Sequence, residues 1–482
     1  MKYDAFIGGD YEAQAWTADC ERTINWYPEV LESPGATSRL ALYPSPGVTL
    51  LDSTPGVGRA HFFENDREFA IVSQYLYEIS RVWDGTNYRT NRGTVATDGN
   101  PATICSNGAP GGQLFITSGN RAYIYTLSTD VLTEVAALRF KATMGAYLDG
   151  YFVCMDGPNS TLYLSALLDG TSWTTGTFFA KRNLASDPWR AMKVVGRYLW
   201  LFGETTTEVW QDTGKYPFPL EPVPQGLIPF GIVAPFSACA LGRDLCWLGT
   251  AGGGRICVLR ASEGTPEVIS TRPLEAKFQT YRDVDREQAI GDVYASRGHT
   301  FYVLHFDGQT SWAWDADTRI WTERATWQDG QWVAWRPRYH VLAFGESRML
   351  DAKAGGLYRL DPDGGTDVGS EPIRRLRRCP AIEVENRRVY YSTFELDLEP
   401  GLGTTVTPGE NPQVMMRMSN DAAKTWGPEH WTSAGKLGEY STRVRWNRLG
   451  CGRRRVFEVT MTDPVPWRIT GAYLQFAQQA GA

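Results

Sequence analysis

Val195-Gly-Arg-Tyr-Leu-Trp-Leu-Phe-Gly203 is a tight glycine turn followed by a strand of bulky residues, and the chain repeats this arrangement. Tyr147-Leu-Asp-Gly-Tyr-Phe-Val153, Leu241-Gly-Arg-Asp-Leu-Cys-Trp-Leu-Gly249 and Ser296-Arg-Gly-His-Thr-Phe-Tyr-Val-Leu-His305 are further copies. A hairpin recurring every few tens of residues marks an architecture closed or stacked from similar units. Turns are expected near Asn65-Asp66, Gly111-Gly112, Asp149-Gly150, Gly196-Arg197, Gly242-Arg243, Arg297-Gly298 and Arg336-Pro337. Their spacing, roughly 40 to 55 residues, is that of four-stranded propeller blades. Asp-Gly and Asn-Gly type pairs favour two-residue turns that match strand twist. The seven turns imply six or seven blades, because one hairpin can complete a blade shared with the N-terminal segment.

Composition supports an all-β chain. Aromatic residues make up 13%, with 18 Trp and 23 Tyr, which suits strands. The 49 Gly and 27 Pro supply turns and argue against long helices. No run of about 18 apolar residues offers a membrane span, and the N-terminal Met1-Lys-Tyr-Asp-Ala-Phe-Ile-Gly-Gly-Asp10 has no apolar signal core. Synthesis and assembly in a cytosol are therefore expected. The eight Cys, at 20, 105, 154, 239, 246, 257, 379 and 451, are scattered without a Cys-x-x-Cys motif and read as free, mostly buried thiols.

The organisation reads as three parts. Residues 1–55 are proline-dense, as in Leu42-Tyr-Pro-Ser-Pro-Gly47, and are expected to run as an extended arm without regular ladders. Residues 56–362 form the β-propeller. Asp361-Pro-Asp-Gly-Gly-Thr-Asp-Val-Gly-Ser370 has a loop composition, and residues 363–482 form a small antiparallel β-sandwich with alternating strands such as Tyr390–Leu398 and Val456–Met461. Charge divides along the same line. From Glu371 onward there are 16 Lys/Arg against 12 Asp/Glu, and before it 32 against 42. Such a split orients subunits or partners and does not resemble a globally basic nucleic-acid reader.

Each chemical motif has a structural reading beside the functional one. Ser419-Asn-Asp-Ala-Ala-Lys-Thr-Trp426 fits an Asp-box, in which Asp421 accepts hydrogen bonds from turn N–H groups and Trp426 packs under a hairpin, with Ser419 and Thr425 completing the motif. Asp-boxes occur in sialidase-like propellers, away from catalysis. A carbohydrate-binding or glycoside-hydrolysing propeller is thus the alternative function, but no carboxylate pair stands out, and Arg197, Arg243 and Arg297 fall in rim turns. A kelch-like interaction propeller is a third reading. The five His lack metal-ligand spacing. Ala251-Gly-Gly-Gly-Arg255 lacks the Lys-Ser/Thr of a phosphate loop, and Asp361, Asp363 and Asp367 lack the terminal Glu of a calcium loop. No catalytic residue, cofactor or metal is expected.

Two basic clusters remain: Arg374, Arg375, Arg377 and Arg378, and Arg453, Arg454 and Arg455. They read either as solvated strand edges that block unwanted pairing or as contacts with an acidic neighbouring subunit or with DNA phosphates. On the subunit reading, charge reversal in the first cluster weakens assembly rather than folding.

Ordered motifs point to a family. Cys20-Glu-Arg-Thr-Ile-Asn-Trp-Tyr-Pro-Glu29, Leu162-Tyr-Leu-Ser-Ala-Leu-Leu-Asp-Gly-Thr-Ser-Trp173, Leu199–Trp210, Ile228-Pro-Phe-Gly-Ile-Val-Ala-Pro-Phe236 and Val444-Arg-Trp-Asn-Arg-Leu-Gly450 resemble, in this order, the tail-hub proteins of short-tailed bacteriophages, also called packaged-DNA stabilisation proteins. The resemblance spans nearly the whole chain. It implies a non-enzymatic virion tail protein, a homo-oligomer in a hexameric ring below the portal and its adaptor protein. The ring would extend the DNA channel and retain the genome, with a tail fibre or spike and a needle or plug nearby. DNA would pass without sequence-specific binding.

Overall fold

The computed structural model describes residues 1–482 except 34, 36–37, 82–87, 177, 183, 263, 406 and 479–482. Among the described residues seven antiparallel sheets form the blades, over 58–94, 103–134, 144–181, 191–228, 231–268, 290–328 and 337–361. The first strand of each blade packs beside the first strand of the next, and that of blade 7 beside that of blade 1, which closes the circle. Blade 7 takes its fourth strand from the N-terminal side: Gly47–Ser53 pairs antiparallel with Gly356–Asp361, placing Val48 opposite Leu360. Trp189, Trp200 and Trp247 fill the space between blades 3, 4 and 5. Each such ring buries on the order of 200 Å², a gross gain of about 5 kcal/mol.

Six of the seven expected turns join the first and second strands of a blade. Asn65-Asp66, Asp149-Gly150 and Arg297-Gly298 have positive φ at both central residues, the handedness that matches strand twist. The seventh differs. Arg336-Pro337 opens the first strand of blade 7, and the turn that follows it is Phe344-Gly345, with φ of 53° and 81°. A Phe in the left-handed region carries no turn signature in sequence. The first strands approach one another closely: a Cβ on Gly291 would lie 2.3 Å from the Ser237 carbonyl oxygen of blade 5.

The C-terminal sandwich has two sheets packed over one core, which includes Val389, Phe394, Phe457, Val459 and Trp467. The expectation that 1–55 forms no ladders is corrected here. Trp26–Val30 pairs with Leu40–Pro44, which joins Ile469–Gln478 in one sandwich sheet. Cys20–Ile24 pairs with Arg375–Arg378 in the other. Phe6, Ile7, Cys20, Trp26 and Leu42 are buried in the sandwich core. The prolines are accommodated by position. Pro28 sits in an edge strand, where a missing N–H breaks no ladder, and Pro44 ends its strand.

Cys20–Ile24 has a second neighbour. It also meets Trp321–Gln328, the outer strand of blade 6, so one twelve-stranded sheet runs from the propeller into the sandwich. The loop 362–370 is tied to this joint, because Asp367 accepts from Thr326 Oγ1 at 2.7 Å and Trp335 Nε1 at 3.3 Å. No helix among the described residues is long and apolar enough to cross a membrane.

Candidate interface at the propeller–sandwich junction

The two arginine clusters lie on adjacent strands, and strand alternation sends their members to opposite faces. Arg375, Arg377 and Arg455 are buried. Arg377 donates to the carbonyl oxygens of Phe6 (2.6 Å) and Gly9 (2.9 Å) and to Thr23 Oγ1 (2.8 Å), and pairs with Glu21. Arg455 donates to the Leu449 carbonyl (2.8 Å) and stands 4.7 Å from the Tyr391 ring. Burial pushes the Arg375 pKa down to about 9, with Arg324 adding repulsion. Buried guanidinium groups of this kind persist where carbonyls and rings replace water. Arg378 pairs internally with Glu458 and Glu12. These four are therefore internal fasteners, which corrects the expectation that they face a neighbouring subunit. Arg453 is exposed, Arg454 pairs with Glu383 at 3.0 Å, and Arg374 is half-buried.

A chain of charges crosses the joint. Lys277, on the helix Arg272–Thr280 between blades 5 and 6, reaches Glu12 at 3.2 Å. Glu12 accepts from Arg378 (2.9 Å), whose other nitrogen donates to Glu458 (2.8 Å), and Glu458 accepts from Arg417 (2.6 Å). Beside it Arg22 grips Glu323 of blade 6 with two hydrogen bonds of 2.6 and 2.9 Å. Burial alone would raise the Glu323 carboxyl, but the Arg22 and Lys277 charges outweigh it and hold it well below the carboxylate range. Neighbouring Asp10 moves the other way, raised by burial and by the Glu323 charge. No motif singles these acids out in the sequence, because their partners lie 41 to 366 residues away.

The Asp-box geometry is as its residues imply. Asp421 accepts from Ser419 Oγ and Thr425 Oγ1, both at 2.6 Å, and from the N–H groups of Lys424 and Thr425. Desolvation opposes its charge, yet these bonds win and hold the carboxyl at about 2. The turn follows the sandwich strand Gln413–Ser419 and sets Trp426 against Arg417 (4.6 Å) and Arg378 (5.3 Å).

The other candidates resolve into structural contacts. His299, Asp315 and Asp317 bring ligand atoms within 4.8 Å of one another. The imidazole is clamped instead, Nδ1 to Asp315 at 2.8 Å and Nε2 to Glu29 at 2.9 Å. The Asp315 hydrogen bond, aided by Glu29, pushes its pKa up to about 9, so both ring nitrogens carry protons at neutral pH. Arg297 pairs with Asp363, while Arg197 and Arg243 are exposed in their turns. All eight cysteines are free. The first strands of the seven blades line an axial cavity of about 470 Å³.

Residues 9–364 match the family described as bacteriophage P22 Gp10, beta-propeller, and residues 374–477 match bacteriophage P22 Gp10, beta-sandwich. No curated protein matches the chain. Among solved structures, the N-terminal domain of Nup159 is 11% identical, with 70% of this chain and 98% of that one covered and a TM-score of 0.41. The computationally designed Ika8 protein is 10% identical over 65% of this chain and 98% of its own, with a TM-score of 0.37. A chain of the mitotic checkpoint complex is 8% identical over 69% and 96%, with a TM-score of 0.42. The two family matches follow the observed order of propeller and sandwich, and so the chain belongs to the bacteriophage P22 Gp10 family, the tail-hub or DNA-stabilisation proteins of podoviruses.

Proposed function

We propose that this tail protein is a hub subunit that assembles into a ring of about six copies below the portal and adaptor, extends the DNA channel and keeps the packaged genome in place. The observation that carries the reading is the family match across both parts of the chain. Two features of the molecule agree with it. The first strands of all seven blades converge on an axial cavity of only about 470 Å³, which favours a DNA path between copies over one through a propeller. The continuous sheet and buried charges at the joint make propeller and sandwich a stiff pair, suited to transmitting load around a ring. Adaptor, fibre or spike, and plug would then meet surfaces of the assembled ring, and assembly would take place in the host cytoplasm.

The test is genome retention. Particles made without this subunit should carry portal and adaptor but lose their DNA on dilution or mild heating. Particles that hold DNA as firmly without it would contradict the reading.

A further inference from the structure

The N-terminal strand Cys20–Ile24 ends between two buried arginines. Ile24 lies opposite Glu323 of blade 6 on one side and opposite Leu376 of the sandwich on the other. Asn25, the next residue, is set between the strands that carry Arg324 and Arg375. Those two residues are only 2% and 1% exposed. The Asn25 side chain is fully committed. Its Nδ2 donates to the carbonyl oxygens of Ala325 (2.7 Å) and Arg374 (2.8 Å). Its Oδ1 accepts from Arg324 (3.2 Å) and from the Ala325 N–H (3.1 Å).

Arg324 also donates to the Pro46 carbonyl and lies 4.2 Å from the Trp335 ring. Arg375 has less: a long 3.4 Å bond to the Ile373 carbonyl and the Trp26 ring at 6.0 Å. The Nε of each arginine is buried without an acceptor. Among the described residues neither forms an ion pair, and the carboxylate whose charge reaches both is Asp367. Asp367 is itself engaged by Thr326 Oγ1 (2.7 Å), the Val368 N–H (2.9 Å) and Trp335 Nε1 (3.3 Å). Two positive groups therefore share one negative group. Burial and the repulsion from Arg324 lower Arg375 only to about 9, so it keeps its charge at neutral pH. A buried charge of this kind is stable only when it is paired and its donors are used.

We propose that one small monovalent anion, of the chloride class, is held at this junction by Arg375 with Arg324 beside it. The charge count selects a single negative charge, which a doubly charged phosphate would exceed. The burial of both arginines favours a monatomic ion over an oxyanion or a carboxylate brought by a partner chain. A water molecule would accept from the same donors but leave the charge unmatched. Such an ion fastens the N-terminal segment, blade 6 and the sandwich at one point, and it makes the strength of the joint depend on the anions in solution.

The test uses the full-length protein and chloride itself. Melting curves are recorded as chloride replaces gluconate at constant ionic strength, so that screening stays fixed. An ion that binds the folded chain raises its melting temperature by mass action, and a saturable rise on the order of 2 °C is expected. Arg375→Met removes the surplus charge and should melt at the same temperature in both salts. Wild-type crystals grown in bromide give a readout that needs no variant: an anomalous peak should lie within hydrogen-bond reach of Arg375. If Arg375→Met does not fold, the bromide map decides alone. Equal wild-type melting in both salts with no bromide peak at Arg375 would overturn the proposal. A solvent peak there without anomalous signal would overturn it in favour of water. Stabilisation by phosphate but not by chloride would overturn it in favour of an oxyanion, and a chloride effect kept in full by Arg375→Met would overturn the assignment to this junction.

Discussion

The propeller and the sandwich are both antiparallel β structures, yet they draw on the chain in opposite ways. Blades 1 to 6 are each built from one contiguous stretch of chain. The sandwich is assembled from both ends of the chain, with Phe6, Trp26 and Leu42 packed among Val389, Phe457 and Trp467. Local pairing has a short-range signature, and long-range pairing does not. The same contrast governs stability. A blade is held by its own hairpins and its neighbours. The sandwich depends on a strap about 350 residues away, whose far end, Gly47–Ser53, also closes the propeller.

The largest expected effect comes from cutting the molecule along this line. Residues 47–361 contain all seven blades with the closing strand and should fold alone with a cooperative melt. Residues 363–482 alone lack five core side chains and two partner strands, and should show no cooperative unfolding until a peptide of residues 1–46 is added. A stable isolated C-terminal fragment would break the comparison.

Arg377→Met comes next. It strips Glu21, Thr23 and two buried carbonyls of their donor and should lower stability by about 3–5 kcal/mol. Arg255→Met on the propeller removes a partly exposed pair with Glu275 and should cost under about 1 kcal/mol. Urea midpoints decide between them. Equal losses would mean that the buried arginines do not fasten the joint.

A pH scan sharpens the same point. His299 links blade 6 to Glu29 of the sandwich sheet, and its pKa is raised in the folded state to about 9. Folding therefore gains from its protonation below the unfolded value of 6.5, and the gain disappears as pH rises through 9. The difference is worth on the order of 3 kcal/mol at pH 6. Wild type should lose stability between pH 7 and 10, and His299→Gln should flatten that slope while being less stable at pH 6. Parallel curves for the two proteins would contradict the link. The most local effect is that of Asp421→Ala. It frees the Asp-box turn at a cost of about 1–3 kcal/mol, read as a change in Trp426 fluorescence, and leaves the blades untouched.

The contrast also explains what could be read in advance. Asp149-Gly150 and Arg297-Gly298 announce their turns because glycine supplies the positive φ, whereas Phe344-Gly345 hides behind a Phe. The Asp-box could be read because all its bonds fall within a few residues. The arginine clusters were visible as charge, but their burial was not. Applying strand alternation to Arg374–Arg378 would have sent two of them inward, and only the distant Phe6, Gly9 and Glu21 explain how they are satisfied there. Proline density in 1–55 argued against ladders because edge position and strand ends, which make Pro28 and Pro44 tolerable, are properties of the assembled sheet.

The most direct test of the account is an image of the purified full-length protein with its adaptor and portal by electron microscopy. The account predicts rings of about six copies around a central channel. Single particles that remain monomeric on an otherwise complete portal and adaptor would contradict it.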